Sequence, residues 1–307
     1  MIAKGRRRQA DEYQDIRWLA SGQHGDVYKC VHLPTGKLYA HKLLNLFSTD
    51  ESRAQIIREL SVLLRPPGCV GNSANSGDNN NNNILPPVTN ENILRLHASY
   101  IDNDRLNLIV DYCADGSLLD HITKYGPIRK ESELAFIAKS VLNGLSYMKT
   151  KFKLHHRDLK PANLLLSKGG CLKIADFGES GLAKCSPVDS LEFGTTGYKP
   201  PECLLPPNKE GIVIIDPEKV DTWALGITLL ECCRGRHPFA DATEIEMLAT
   251  FDDFRELQAI MLADMPTNLA RHFVSECLQT DPGRRASISD LLQHPFLLKA
   301  SSSLTLH

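Results

Sequence analysis

Two short polar clusters within residues 154–178 constrain this chain more than anything else in it. His156, Arg157, Asp158, Lys160 and Asn163 form the first, and Asp176, Phe177 and Gly178 form the second. Between them, Leu164–Leu166 and Leu172–Ala175 read as two short apolar strands joined by a turn at Lys168, Gly169 and Gly170. A hairpin of that length folds back and brings both polar clusters to one end. Asp158, Lys160, Asn163 and Asp176 then converge, placing a base, a cation and oxygen donors together. Such a set suits phosphoryl transfer, which asks a protein mainly for positioning and charge stabilisation. Mg2+ is a hard cation that keeps several waters, so one or two protein oxygens and the substrate phosphates suffice to hold it.

In order and spacing the two clusters match the catalytic loop and metal-binding motif of protein kinases. The chain resembles the eukaryotic protein kinase family, serine/threonine type, from about residue 13 to residue 298. Its catalytic loop is somewhat like that of cyclin-dependent kinases. The stretch between Phe239 and Arg285 is too short for their large-lobe insertion, however, and residues 50–64 show no cyclin-binding helix, so no cyclin partner is expected. The resemblance implies an α+β bilobal fold: a small five-stranded antiparallel sheet lobe with one main helix, then a larger, mainly helical lobe. The expected divisions are a flexible tail at 1–12, the small lobe at 13–112, the large lobe at 113–298 and a tail at 299–307.

Bulk properties agree with that reading. A length of 307 residues is comfortable for two lobes. A formal net charge of -2 gives no reason to expect nucleic acid or a membrane surface as partner. No apolar run approaches the roughly 18 residues that span a bilayer. Lys4 and Arg6–Arg8 follow Met1 without an apolar segment, so no secretory signal is read. The nine cysteines are odd in number and lack paired spacing, which suits free thiols in a reducing compartment. The expected location is intracellular, in the cytoplasm and/or nucleus.

Along the chain, Ile16–Leu19, Val27–Val31 and Lys37–Lys42 read as antiparallel strands, and a helix is expected over 50–64 with Ile56, Leu60, Leu63 and Leu64 on one face. Residues 66–90 are bounded by prolines and filled with Asn, Ser and Gly, the composition of a disordered insertion. Ile93–Tyr100 and Arg105–Asp111 should complete the sheet. Glu131–Thr150 is the clearest amphipathic helix, and 288–298 should be the last one.

The resemblance assigns roles residue by residue. Ala20, Ser21, Gly22, Gln23, His24, Gly25 and Val27 would form the loop over the ATP phosphates, with Ala20 where the family's first glycine stands. Lys42, paired with Glu59, would contact those phosphates. Ala40, Val110, Asp111, Cys113 and Leu165 would line the adenine pocket, with Val110 at its back and the hinge starting at Asp111. Asp158 would be the base and Lys160 the charge-neutralising cation; Asn163 and Asp176 would hold Mg2+, and Thr195 would mark the substrate segment. Lys160 and Thr195 point to serine/threonine specificity, hence to a protein substrate with Ser or Thr. Arg157 and the candidate phosphosite Ser190 imply an upstream activating kinase. Asp221 would hold the catalytic loop by its backbone, and Glu202 and Arg285 would form a buried pair. A competing expectation, a pseudokinase that binds nucleotide or scaffolds, draws on Ala20, Glu179 and Pro200. Against it stand Lys42, Asp158, Asn163 and Asp176, all four present.

Overall fold

The computed structural model describes residues 9–22, 25–45, 50–63, 90–182, 193–204, 215–251 and 254–304. Gln23, His24, nearly all of the Asn-rich insertion and Ser190 lie outside them.

Alternating side chains make five strands: β1 (Tyr13–Gly22), β2 (Gly25–His32), β3 (Lys37–Asn45), β4 (Leu96–Asp102) and β5 (Arg105–Asp111). They form one antiparallel sheet in the order β1-β2-β3-β5-β4. Helix α1 (Asp50–Leu63) follows β3 and buries Ile56, Glu59, Val62 and Leu63. Gly25 opens β2 at φ 149°, and a Cβ there would stand 1.8 Å from the carbonyl oxygen of Leu43 on β3. Close packing of β2 on β3 therefore demands glycine at that position.

Past the hinge the chain is mainly helical, with α2 (Leu118–Tyr125) and α3 (Glu131–Tyr147). Two two-stranded sheets follow: β6 (Leu154–His155) pairs with β9 (Gly181–Leu182), and β7 (Leu164–Leu166) pairs with β8 (Leu172–Ile174). Helices α4 (Pro201–Leu204), α5 (Pro217–Arg234), α6 (Glu244–Phe251), α7 (Phe254–Ala263), α8 (Asn268–Cys277) and α9 (Ile288–Leu292) complete the lobe. Helix α5 is buried on every side, sequestering Trp223, Leu225, Ile227, Leu229, Leu230, Cys232 and Cys233 together with Asp221 and Glu231. The seven described cysteines are free. No helix among the described residues is long and apolar enough to cross a membrane.

Three boundaries depart from expectation. The strand expected from Ile93 begins only at Leu96, because Ile93 sits in an isolated parallel bridge with Ile174 on β8: Leu94 N–H donates to the Ile174 carbonyl at 2.9 Å, and Ile174 N–H to the Asn92 carbonyl at 2.8 Å. The connection between the lobes is thereby stitched to the catalytic hairpin. Helix α3 ends at Tyr147 in a π-type turn over Met148–Phe152, closed by Lys153 at φ 56°. The last helix stops at Leu292, and a separate 3-10 turn begins at Pro295, which has no N–H to continue the ladder. In the expected C-terminal tail, Ser301 N–H donates to the Ser132 carbonyl at 3.0 Å and Leu304 is buried.

Candidate active site

The β7–β8 hairpin brings the two polar clusters together. Its register sets Leu164 opposite Ile174, so Asn163 and Ala175 meet at the open end, and Ala175 N–H donates to the Asn163 carbonyl at 2.9 Å. The buried imidazole of His156 ties the clusters a second time. Its Nε2 lies 3.0 Å from the Ala175 carbonyl and its Nδ1 accepts from Asp158 N–H at 3.3 Å. These contacts settle the tautomer: the hydrogen sits on Nε2. Phe177 packs edge-on against the same ring, 5.6 Å between centroids.

Two non-glycine residues here have left-handed backbone, Arg157 at φ 66° and Asp176 at φ 61°. Such conformations cost on the order of 1–3 kcal/mol each and persist only where surrounding contacts impose them. Asp221, buried on α5, imposes the first. Its carboxylate accepts His156 N–H at 2.9 Å and Arg157 N–H at 2.7 Å, gripping the two successive amides that lead into the strained residue.

Asp158 is the most densely bonded group in the site. Its Oδ1 accepts Thr195 N–H at 2.9 Å and the Thr195 hydroxyl at 2.7 Å. Its Oδ2 accepts Lys160 Nζ at 2.8 Å and Asn163 Nδ2 at 3.0 Å. Lys160 Nζ also donates to Thr195 Oγ1 at 2.6 Å, closing a triangle of Asp158, Lys160 and Thr195. Gly194 makes the turn that delivers Thr195. It lies at φ 74°, and a Cβ there would meet the Arg157 carbonyl oxygen at 2.5 Å.

The ammonium of Lys42, on β3, donates to both oxygens of Glu59 on α1, at 2.7 and 2.9 Å, and lies 4.0 Å from Asp176 Oδ1. Burial disfavours its charge, but Glu59 and Asp176 outweigh burial and hold its pKa above the ordinary lysine value. Beside Glu59, Arg58 Nε donates to the Gly178 carbonyl at 2.6 Å, and its guanidinium lies 4.0 Å from Glu179. The residue after Asp176-Phe177-Gly178, unusual by sequence, thus takes part in fastening α1 to that segment. Arg58 is a positioning residue that sequence reading passed over. Its only signal was adjacency to Glu59.

Ala40 and Val110 are buried and pair across β3 and β5, while Cys113, Leu165 and, from the phosphate loop, Val27 pack against the main hydrophobic core. Ala20 lies exposed on β1 opposite Val27, and Ser21 donates to Asp26 at 2.6 Å. At the hinge, burial pushes the Cys113 thiol up to about 12, which keeps it protonated. Asp111 carries more than backbone. Its carboxylate takes His97 Nε2 at 2.7 Å from β4 and Lys173 Nζ at 3.1 Å from β8, and Lys173 also donates to the Glu91 carbonyl. Burial alone would raise this carboxyl, but His97 and Lys173 together hold it below the usual aspartate value. The hinge is therefore tied to both lobes by the Asp111 side chain.

The site suits a divalent cation. Asn163 spends its amide nitrogen on the Asp158 carbonyl and carboxylate, at 2.8 and 3.0 Å, leaving its amide oxygen as donor. Asp176 has a side chain 42% exposed beside it in the fold. Among the described residues no group of three or more His, Cys, Asp or Glu could hold a metal ion. One carboxylate and one amide oxygen match a hard cation that takes its remaining ligands from phosphates and water.

Replacing Lys42 by Met should cut kcat/KM for ATP by about 10- to 10²-fold, the worth of a charge-assisted hydrogen bond to phosphate. Glu59, left buried without its cation, should let α1 shift, which a nucleotide titration alongside the kinetics would register as weakened binding. Unchanged ATP affinity and turnover would remove Lys42 from the site.

A family model described as "Protein kinase domain" matches residues 74–297. Its match covers the catalytic hairpin, the substrate segment and the large lobe, and begins downstream of Lys42 and Glu59. Pairwise likeness extends further. The chain is 30% identical over 96% of its length to serine/threonine-protein kinase dst2 of Dictyostelium discoideum, covering 23% of that protein. It is 31% identical over 92% of its length to mitogen-activated protein kinase kinase 2 of Arabidopsis thaliana, covering 72% of it. With mitogen-activated protein kinase kinase kinase kinase 3 of Homo sapiens it shares 31% identity over 95% of its length and 30% of the relative. The chain thus spans less than a third of two of these three relatives. With the catalytic hairpin, the Lys42–Glu59 pair and the Thr195 segment assembled as the resemblance requires, the match establishes that this chain belongs to the eukaryotic protein kinase family.

Proposed function

We propose that the chain is a protein kinase that transfers the γ-phosphoryl group of ATP to serine or threonine hydroxyls of a protein. The observation that carries the serine/threonine assignment is the triangle of Asp158, Lys160 and Thr195, with 2.6–2.8 Å between its partners. In it, Asp158 orients the substrate hydroxyl and accepts its proton while the oxygen takes the γ-phosphoryl group and ADP leaves. Lys160 offsets negative charge on the group in transfer. Lys42, fixed by Glu59, positions the nucleotide phosphates. Asn163 and Asp176 would hold Mg2+, which when bound neutralises phosphate charge. All four lone-pair directions of the Asp158 carboxylate already have donors, so an incoming hydroxyl must displace one of them. The Thr195 hydroxyl is the most replaceable, because Thr195 keeps its backbone bond.

Two relatives are named for mitogen-activated cascades, in which one kinase acts on another. We extend to this chain a protein substrate and an upstream activating kinase, with Ser190 as candidate phosphosite and Arg157 as its partner. Phosphate transfer from labelled ATP with Mg2+ to an equal mixture of Ser, Thr and Tyr peptides is the test. Label on Ser or Thr is expected. Label confined to Tyr would overturn the specificity, and no label after treatment with an activating kinase would favour the pseudokinase reading.

A further inference from the structure

We propose that His237 is a positioning residue for the substrate segment, acting through Gly197 and Tyr198 on Thr195; this rests on the kinase reading above. His237 lies just past α5, after Gly235, and belongs to none of the motifs already used. Its ring is laid directly against the substrate segment. A Cβ on Gly197 would stand 2.7 Å from His237 Cε1 and 2.9 Å from Nε2. The Tyr198 ring meets it edge-on at 4.7 Å between centroids, and Phe239 backs it at 6.0 Å.

The imidazole is held in one state. Phe239 N–H donates to Nδ1 at 3.1 Å, so the neutral ring carries its hydrogen on Nε2. That nitrogen is buried and makes no regular hydrogen bond. Burial lowers the His237 pKa, with the Gly197 backbone pulling the other way. From the far side, the Tyr198 hydroxyl donates to Glu231 on α5, a carboxyl that burial raises above its ordinary value. Gly197 and Tyr198 are thus clamped between His237 and Glu231.

The clamp reaches the chemistry by one step. Tyr198 N–H donates to the Thr195 carbonyl at 3.0 Å, and Thr195 presents its own N–H and hydroxyl to Asp158. Loosening the ring lets the Thr195–Tyr198 turn drift. Binding of the protein substrate should register that drift, while ATP, which the kinase reading assigns to Lys42 and the hinge, should not.

His237→Ala and His237→Phe, measured against wild type, test this in two ways. Hydrogen exchange reads the amides of Thr195, Tyr198 and Lys199 without any need for activity. They should exchange faster in His237→Ala and return towards wild type in His237→Phe, with the core amides of α5 unchanged. Steady-state kinetics should show kcat/KM for a peptide substrate falling about tenfold in His237→Ala, with KM for ATP unchanged. Gly197→Ala, which presses a methyl into the ring from the other side, should reproduce the pattern if His237→Ala does not fold. Unchanged exchange at Thr195–Lys199, equal effects on ATP and peptide, or a Phe variant as impaired as the Ala variant would each overturn the proposal. A wild type that moves no phosphate would sink the kinase reading, and the exchange measurement would still decide His237.

Discussion

Asp158→Asn should lower kcat by about 10²- to 10⁴-fold, the usual worth of a positioned general base, while ATP affinity stays near that of wild type. The substitution is nearly isosteric but inverts hydrogen bonding. Oδ1 faces the Thr195 N–H and hydroxyl, and Oδ2 faces Lys160 and Asn163. An Asn amide must turn its NH2 towards one of these pairs, setting donor against donor. If it faces Lys160 and Asn163, the cation loses its carboxylate and keeps only the Thr195 hydroxyl; if it faces Thr195, the substrate segment loses its backbone bond. Both routes cost turnover beyond the lost base. Lys42 spends its ammonium on Glu59 and is not among the donors that reach the Asp158 carboxylate, so nucleotide binding should change little. Single-turnover transfer with ATP saturating separates the two effects. Transfer within tenfold of wild type would mean that Asp158 is not the base, and a parallel loss of ATP affinity would mean that the substitution disorders the site as a whole.

The convergence of Asp158, Asn163 and Asp176 was legible because it follows from local geometry: two three-residue strands and a tight turn leave few ways to place their ends. The Lys42–Glu59 pair was legible only through resemblance. Nothing in the pattern of β3 or α1 singles out one lysine or one glutamate, and their meeting depends on how α1 lies against the sheet. The Asp221 grip, on backbone 64 and 65 residues away, was likewise legible only through resemblance, but the left-handed strain it offsets at Arg157 is one that no propensity announces in an arginine. What could not be read were supports that act across long sequence separations. His97 and Lys173 reach Asp111 from strands in different lobes. Gly25 looked like a concession to phosphate, but packing on the Leu43 carbonyl alone would demand it. The misplaced start of β4 has the same origin. Ile93 and Leu94 read as strand residues, yet the backbone on either side of Ile93, the Asn92 carbonyl and Leu94 N–H, bonds to Ile174 on β8, a partner the local pattern does not reveal.

Glu202→Ala should cost about 3–5 kcal/mol of stability, the penalty for removing one member of a buried ion pair. Arg285 is a fully sequestered charge, with a side chain 0% exposed. Its guanidinium donates bidentately to Glu202, Nη1 to Oε1 at 2.7 Å and Nη2 to Oε2 at 2.9 Å, while the Gln279 and Lys219 carbonyls take Nε and Nη1. Trp223 lies under it at 5.0 Å. The two carbonyls offset part of its desolvation but none of its charge, so without Glu202 the cation is stranded. Against a total stability of roughly 5–15 kcal/mol the loss is large, and at about 2–4 °C per kcal/mol the midpoint should fall by about 6–20 °C. The double variant Glu202→Leu with Arg285→Met discriminates between a pair that stabilises the fold and one that is merely costly to break. Replacing both partners with apolar groups removes the stranded charge, so the double variant should be more stable than Glu202→Ala alone. Because Glu202 opens α4 immediately after the substrate segment, the double variant should still lose turnover despite recovering its midpoint: Leu at that position no longer ties the end of the segment to the α8–α9 connection. A double variant as unstable as the single would show that the Arg285 hydrogen bonds to Gln279 and Lys219, rather than the ion pair, hold this corner of the lobe.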